Sequence, residues 1–95
     1  MATIQHPQLD QVPLTLVLHA LADSTRLQLV RNIASTGGGA CSTLCDQTQP
    51  SRMSYHMRIL REAGLVRIEP KGQQRIATLR RDEVEQRFPG LLDLV

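Results

Sequence analysis

Aromatic side chains are nearly missing from this chain: there is no Trp, one Tyr (Tyr55) and one Phe (Phe88). Successive bases of a single strand stack on aromatic faces, so this scarcity argues against a single-strand binding platform. No apolar run approaches the roughly 18 residues that a membrane span needs. The opening MATIQHPQLDQ has neither a positive n-region nor an apolar h-region, so no secretion signal is expected. With only two cysteines, Cys41 and Cys45, a disulfide framework is not expected, and a reduced cytoplasmic setting is. Catalytic groupings are missing too. There is no nucleophile–base–acid set, no paired carboxylates in a plausible cleft, and no Gly-Lys-Ser/Thr after Gly37-Gly38-Gly39 to make a phosphate loop. Neither an enzyme nor a bound cofactor is expected.

What is there is enough to fold. Leu, Ile, Val and Phe make up 26 of the 95 residues, too many for a disordered chain, and the length fits one small domain. A domain of this size buries only about two thirds of the surface of its unfolded chain, so a partner subunit would help it. The net charge of +2 hides a strong segregation. Residues 1–50 are close to neutral, residues 51–81 carry seven Arg and Lys71 against Glu62 and Glu69, and residues 82–95 are acidic. A basic block of this density is the footprint of a polyanion binder, the alternative being a solvated basic surface. Ten of the eleven cations are Arg, whose forked donors suit phosphates and guanine edges.

Along the chain, residues 1–11 lack periodicity and read as an arm. Leu14, Val17, Leu18 and Leu21 then form the i, i+3, i+4, i+7 stripe of an amphipathic helix. Asp23 reads as the N-cap of a second helix, with Leu27, Val30, Ile33 and Ala34 as its buried stripe. The three glycines would end that helix and supply a flexible link. A short helix from Ser42 to about Gln47, anchored by Leu44, leads to a turn at Thr48-Gln49-Pro50. A further helix from about Ser51 to Ala63 buries Met53, Met57 and Leu60 with His56 beside them, and Gly64 follows it. Two strands, Val66–Glu69 and Arg75–Leu79, bracket a tip with turn chemistry. Asp82 would cap a last helix reaching about Phe88, before the apolar tail Leu91 to Val95.

Two helices joined by a short turn, followed by a hairpin, match a helix-turn-helix with a wing. With Met53, Met57 and Leu60 facing the core, a rotation of about 100° per residue turns Ser51, Tyr55, Arg58 and Glu62 outward. Ser54 and Arg61 flank that face on one side, Arg52 and Ile59 on the other. Ser51, Arg52, Ser54, Tyr55 and Arg58 therefore make a hydrogen-bonding ridge on the N-terminal half of one helix, the part that reaches base edges in a major groove. Lys71 and Arg75 on the hairpin could touch flanking phosphates or the minor groove. His56 reads as a packed, hydrogen-bonded residue at the core edge rather than a metal ligand.

The stretches LADSTRLQLVRNI (residues 21–33) and SRMSYHMRILREAGLVRIEPKGQQR (residues 51–75) resemble the ArsR-type winged helix-turn-helix repressors, with Ser24 where that family commonly has proline. The resemblance spans residues 14 to about 88. It implies a mostly α fold with a β-hairpin wing: an arm over 1–11 and a DNA-binding domain over 12–95. It further implies a homodimer joined through residues 12–22 and 82–95 on a palindromic operator in double-stranded DNA, with Arg52, Ser54 and Tyr55 facing the DNA. The apolar tail, Phe88, Leu91, Leu92, Leu94 and Val95, agrees with a partner surface, or else completes the chain's own core.

Members of the family often release DNA on binding metal or on thiol oxidation, but the ligand patterns differ here. A Cys-x-Cys at the third helix is replaced by Cys41-Ser-Thr-Leu-Cys45, and no histidine follows His56. Cys41 and Cys45 are the remaining metal candidates, with His6 as a third ligand, or they form a redox pair. Alternatively Cys45 packs near Leu44 and Cys41 is a small residue at a helix start. Two other readings thus stand beside the repressor: a thiol- or metal-responsive version of it, and a winged-helix protein-interaction module that does not touch DNA.

Overall fold

A computed structural model describes residues 4–41 and 50–95. The expected helix from Ser42 to Gln47, with Leu44 and Cys45, lies outside the described residues. Helix α1 (Leu14–Leu21) and helix α2 (Ser24–Thr36) are followed by a short strand β1 (Gly39–Ala40). Helix α3 (Pro50–Glu62), strands β2 (Val66–Lys71) and β3 (Gln74–Leu79) and helix α4 (Arg81–Arg87) complete the described elements, with single 3-10 turns at Leu9–Gln11 and Leu92–Leu94. The strands form one antiparallel sheet in the order β1-β3-β2.

Both early helices form where expected, and Val17, Val30 and Ile33 are buried as expected, but the rest of each inward face differs. In α1 the buried residues are Val17 and Ala20, while Leu14, Leu16 and Leu18 stay 46%, 38% and 49% exposed. The helix carries more leucine than the core of this chain uses, with Leu21 packed only at the core's edge. In α2 the Asp23 carboxylate accepts the Arg26 N–H at 3.0 Å, as an N-cap should. The buried positions are Arg26, Leu29, Val30 and Ile33, so the inward stripe begins on an arginine rather than on Leu27.

The glycine run is not a flexible link. Gly37 caps α2, and Gly39 and Ala40 then pair with Ala77 and Ile76 of β3. Gly38 has φ +112°, and a Cβ there would lie 2.7 Å from the Ala77 carbonyl oxygen and 2.8 Å from a Thr78 methyl. Only a residue without a side chain lets the strand approach this closely. At the other end of α3, Gly64 has φ +79°, and the Leu65 N–H reaches back to the Leu60 carbonyl at 3.1 Å. This is a Schellman closure, which puts Leu60 and Leu65 together in the core.

The hairpin is longer than expected, because pairing continues through Pro70–Arg75 and Lys71–Gln74 to a two-residue turn. Asp82 does not cap α4. The cap falls two residues earlier, at Arg80, whose carbonyl accepts the Val84 N–H, and Asp82 and Glu83 lie in the helix's first turn, where carboxylates favour the helix dipole. Of the apolar tail, Leu92 is buried and Phe88, Leu91 and Val95 pack against the core, leaving Leu94 at 80% exposure.

Two glycines separate conformational strain from steric overlap. Gly37 also has a positive φ, but nothing lies within 4 Å of a Cβ built on it. Gly37→Ala should cost about 1 kcal/mol, and Gly38→Ala about 3 kcal/mol. Urea unfolding of the two variants should show this order; equal losses would mean that the approach of β1 to β3 is not close-packed.

Candidate nucleic-acid interface

Helix α3 divides as its sequence predicts. Met53, Met57 and Leu60 are buried at 7%, 4% and 0% exposure. Ser51, Arg52, Ser54, Tyr55, Arg58 and Glu62 are exposed, and Arg61 and Ile59 are half-buried. Tyr55 is 49% exposed, and the Arg58 guanidinium lies 5.9 Å from its ring centroid, so each side chain limits where the other can go.

The polar face of α3 and the sheet enclose a groove of about 760 Å³. Ser51, Ser54, Tyr55 and Arg58 line one side of it and Arg75 of β3 the other. Five of the seven expected contact residues therefore share one concave surface. Arg52 and Lys71 do not line it. Arg52 is exposed elsewhere on α3, and Lys71 ends β2 beside the hairpin turn. Cys41 also borders the groove, half-buried, and burial pushes its thiol pKa above the ordinary value, which makes a poor nucleophile of it at neutral pH. Among the described residues no group of three or more His, Cys, Asp or Glu could hold a metal ion.

The segment before α1 is pinned to the domain. Its carbonyls accept from three arginines on three elements: Gln5 from Arg61 of α3, Pro7 from Arg80 at the end of β3, and Leu9 and Val12 from Arg87 of α4. His6 accepts the Ile68 N–H at 2.9 Å, which satisfies a donor on the sheet's edge strand β2. Leu9 and Val12 are buried, and Leu9 packs over Gly64. A strap thus ties the far end of α3 to the wing. Nothing in the sequence signals this, because carbonyl acceptors have no residue type. Arg80, 6% exposed, also grips Glu83 with two parallel hydrogen bonds, at 3.2 and 2.6 Å. Those bonds hold the Glu83 carboxyl below its usual pKa.

His56 is half-buried, and its Nδ1 lies 3.2 Å from Arg26 Nη1, in keeping with a hydrogen-bonded residue at the core edge.

A family model described as a helix-turn-helix domain matches residues 21–69, the stretch from the end of α1 into β2. An uncharacterized HTH-type transcriptional regulator of Bacillus subtilis (strain 168), YceK, is 30% identical over 81 residues, covering 81% of this chain and 80% of its own. This chain belongs to the helix-turn-helix transcriptional regulators. Among solved structures, an ArsR family transcriptional regulator superposes with a TM-score of 0.71 at 22% identity, over 85% of this chain and 90% of its own. Another, a possible transcriptional regulator for arsenical resistance, gives a TM-score of 0.67 at 32% identity, over 81% and 80%. The regulator therefore has the ArsR-type winged fold, with α3 as its second helix-turn-helix element and β2–β3 as its wing. It belongs to a class of DNA-binding transcription regulators rather than to any class of enzymes. No described helix is long and apolar enough to cross a membrane.

The strap makes stability depend on pH. Burial, then Arg67, Arg80 and Arg61, hold the His6 pKa below its ordinary value, against a smaller opposing effect of Glu69. The folded protein thus prefers neutral His6, and below about pH 6.5 the unfolded chain binds the proton first. Melting temperature should fall as pH drops from about 6.5 to 5, and His6→Gln should flatten that slope. Asp23 and Glu83, whose pKa values are lowered, act in a separate window: their contribution is full above about pH 4 and is lost below it. An unchanged slope above pH 5 in His6→Gln would show that the strap is not held through this imidazole.

Proposed function

We propose that this regulator is a cytoplasmic repressor that binds a palindromic operator as a homodimer. The observation that carries the reading is the uncovered polar face of α3: Ser51, Arg52, Ser54, Tyr55 and Arg58 stay exposed while the opposite face is sealed in the core. In the major groove these side chains would meet base edges, Arg52 and Arg58 suiting guanine and Tyr55 and the serines serving as shorter donors and acceptors. Arg75 and Lys71 on the wing would reach flanking phosphates or the minor groove.

The dimer reading is supported by Leu14, Leu16 and Leu18 of α1 and by Leu94 of the tail, all exposed large apolar residues at the two ends of the chain expected to pair. Two copies related by a twofold axis would place two α3 helices about one DNA turn apart, which is what a palindromic site requires.

Selection of bound duplexes from a random pool should return an inverted repeat, and affinity for it should fall steeply as salt rises. Arg52→Ala and Tyr55→Ala should each cost about 1–3 kcal/mol on the selected site and relax its sequence preference. Lys71→Ala should weaken all duplexes alike and reduce the salt slope by about one. A protein that binds every duplex equally, before and after these substitutions, is not an operator-specific repressor.

A further inference from the structure

Arg26 is 6% exposed, and among the described residues its guanidinium hydrogen-bonds no carboxylate. The nearby Asp23 carboxylate accepts the backbone N–H of Arg26, while the guanidinium turns elsewhere. The guanidinium donates instead to carbonyls in the last turn of α1, Ala20 at 2.7 Å and His19 at 3.3 Å, and its Nη1 meets His56 Nδ1 of α3 at 3.2 Å. Burying a cation costs several kcal/mol, and an apolar side chain of similar volume generally stabilises a core as well or better. What an apolar side chain lacks is direction: a guanidinium is a rigid planar fork whose donors point along fixed lines.

We propose that Arg26 and His56 form a positioning pair that fixes where the reading face of α3 stands relative to α1. Because a guanidinium only donates, His56 accepts at Nδ1 and carries its proton on Nε2. His56 sits next to Tyr55, their rings in edge contact at 5.4 Å, so the ring that Arg26 holds is itself a support for a groove-lining side chain. The three helices meet at one residue: α1 through its terminal carbonyls, α2 through the Arg26 backbone, and α3 through the imidazole. The pair's effect on DNA recognition rests on the operator reading above. If α1 also joins two copies, the same guanidinium sets the separation of their reading helices.

The test uses the full chain with two duplexes, one selected from a random pool and one unrelated, together with thermal melting. His56→Asn keeps an acceptor near the position of Nδ1, and His56→Leu keeps the bulk without it. His56→Asn should retain the preference of the wild type. His56→Leu should lose about ten- to hundredfold on the selected duplex, with little change on the unrelated one and a cooperative melt. In mildly alkaline buffer, nitrogen NMR of the imidazoles should place the His56 proton on Nε2, and Arg26→Met, which removes the donor, should remove that bias. Equal losses on both duplexes, undiminished discrimination by His56→Leu, or a proton on Nδ1 in the wild type would each overturn the pair. A wild type with no sequence preference overturns the operator reading, and this role with it, while the tautomer still reports whether the contact forms.

Discussion

The rotation of α3 about its own axis is the constraint from which the rest follows. Met53, Met57 and Leu60, at spacings of four and three, fall on one side of a 3.6-residue helix and are all but sealed. Rotating the helix by one residue's turn would bring serine or arginine side chains into the core and expose methionine and leucine. Desolvating a charge or an unpaired hydroxyl costs far more than any contact such a rotation could gain. The outward direction of Ser51, Ser54, Tyr55 and Arg58 is therefore fixed by residues on the opposite, buried face. The groove facing the wing is a consequence of core packing.

Helix rotation was also where the sequence was least legible. The apolar stripe of α3 could be read directly because its outer face contains almost nothing apolar. In α1 the apolar residues are too numerous: Leu14, Val17, Leu18 and Leu21 satisfy the spacing, yet Val17 and Ala20 are the ones fully buried, Leu21 only packs against the core's edge, and Leu14, Leu16 and Leu18 face outward. A pattern search for the most hydrophobic stripe fails on a helix with two apolar faces. In α2 the true stripe, residues 26, 29, 30 and 33, has perfect helical spacing, but its first member is an arginine, which the pattern assigns to solvent. Strand β1 was hidden for another reason. Its pairing depends on a backbone approach at Gly38 that only the folded partner strand makes meaningful.

The same difficulty bears on the basic block in residues 51–81. As a sum of charges it suggests one continuous polyanion surface. The fold gives several of its arginines internal partners: Arg61 takes the Gln5 carbonyl, Arg80 takes Glu83 and the Pro7 carbonyl, and Arg67 stands 3.5 Å from Glu83. The exposed cations on α3 and the wing are fewer, chiefly Arg52, Arg58, Lys71 and Arg75. The site is thus narrower than the charge count alone would make it, and better defined, because the groove between α3 and β3 gathers a subset of those residues.

The choice of internal partners also preserves the field that a polyanion would meet. Arg26, Arg61 and Arg87 donate to neutral backbone carbonyls, which satisfy their hydrogen bonds without cancelling their charge. A carboxylate in those places would have made stronger contacts and removed the positive potential at the same time. Where a carboxylate is used, as with Glu83 against Arg80 and Arg67, it belongs to α4, outside the lining of the α3 groove. A strap fastened by arginine to carbonyl oxygens can therefore lock the end of α3 to the wing and leave the charge of Arg61 and its neighbours for the phosphates of the proposed operator. If the proposed operator binding holds, structural support and long-range steering come from the same side chains.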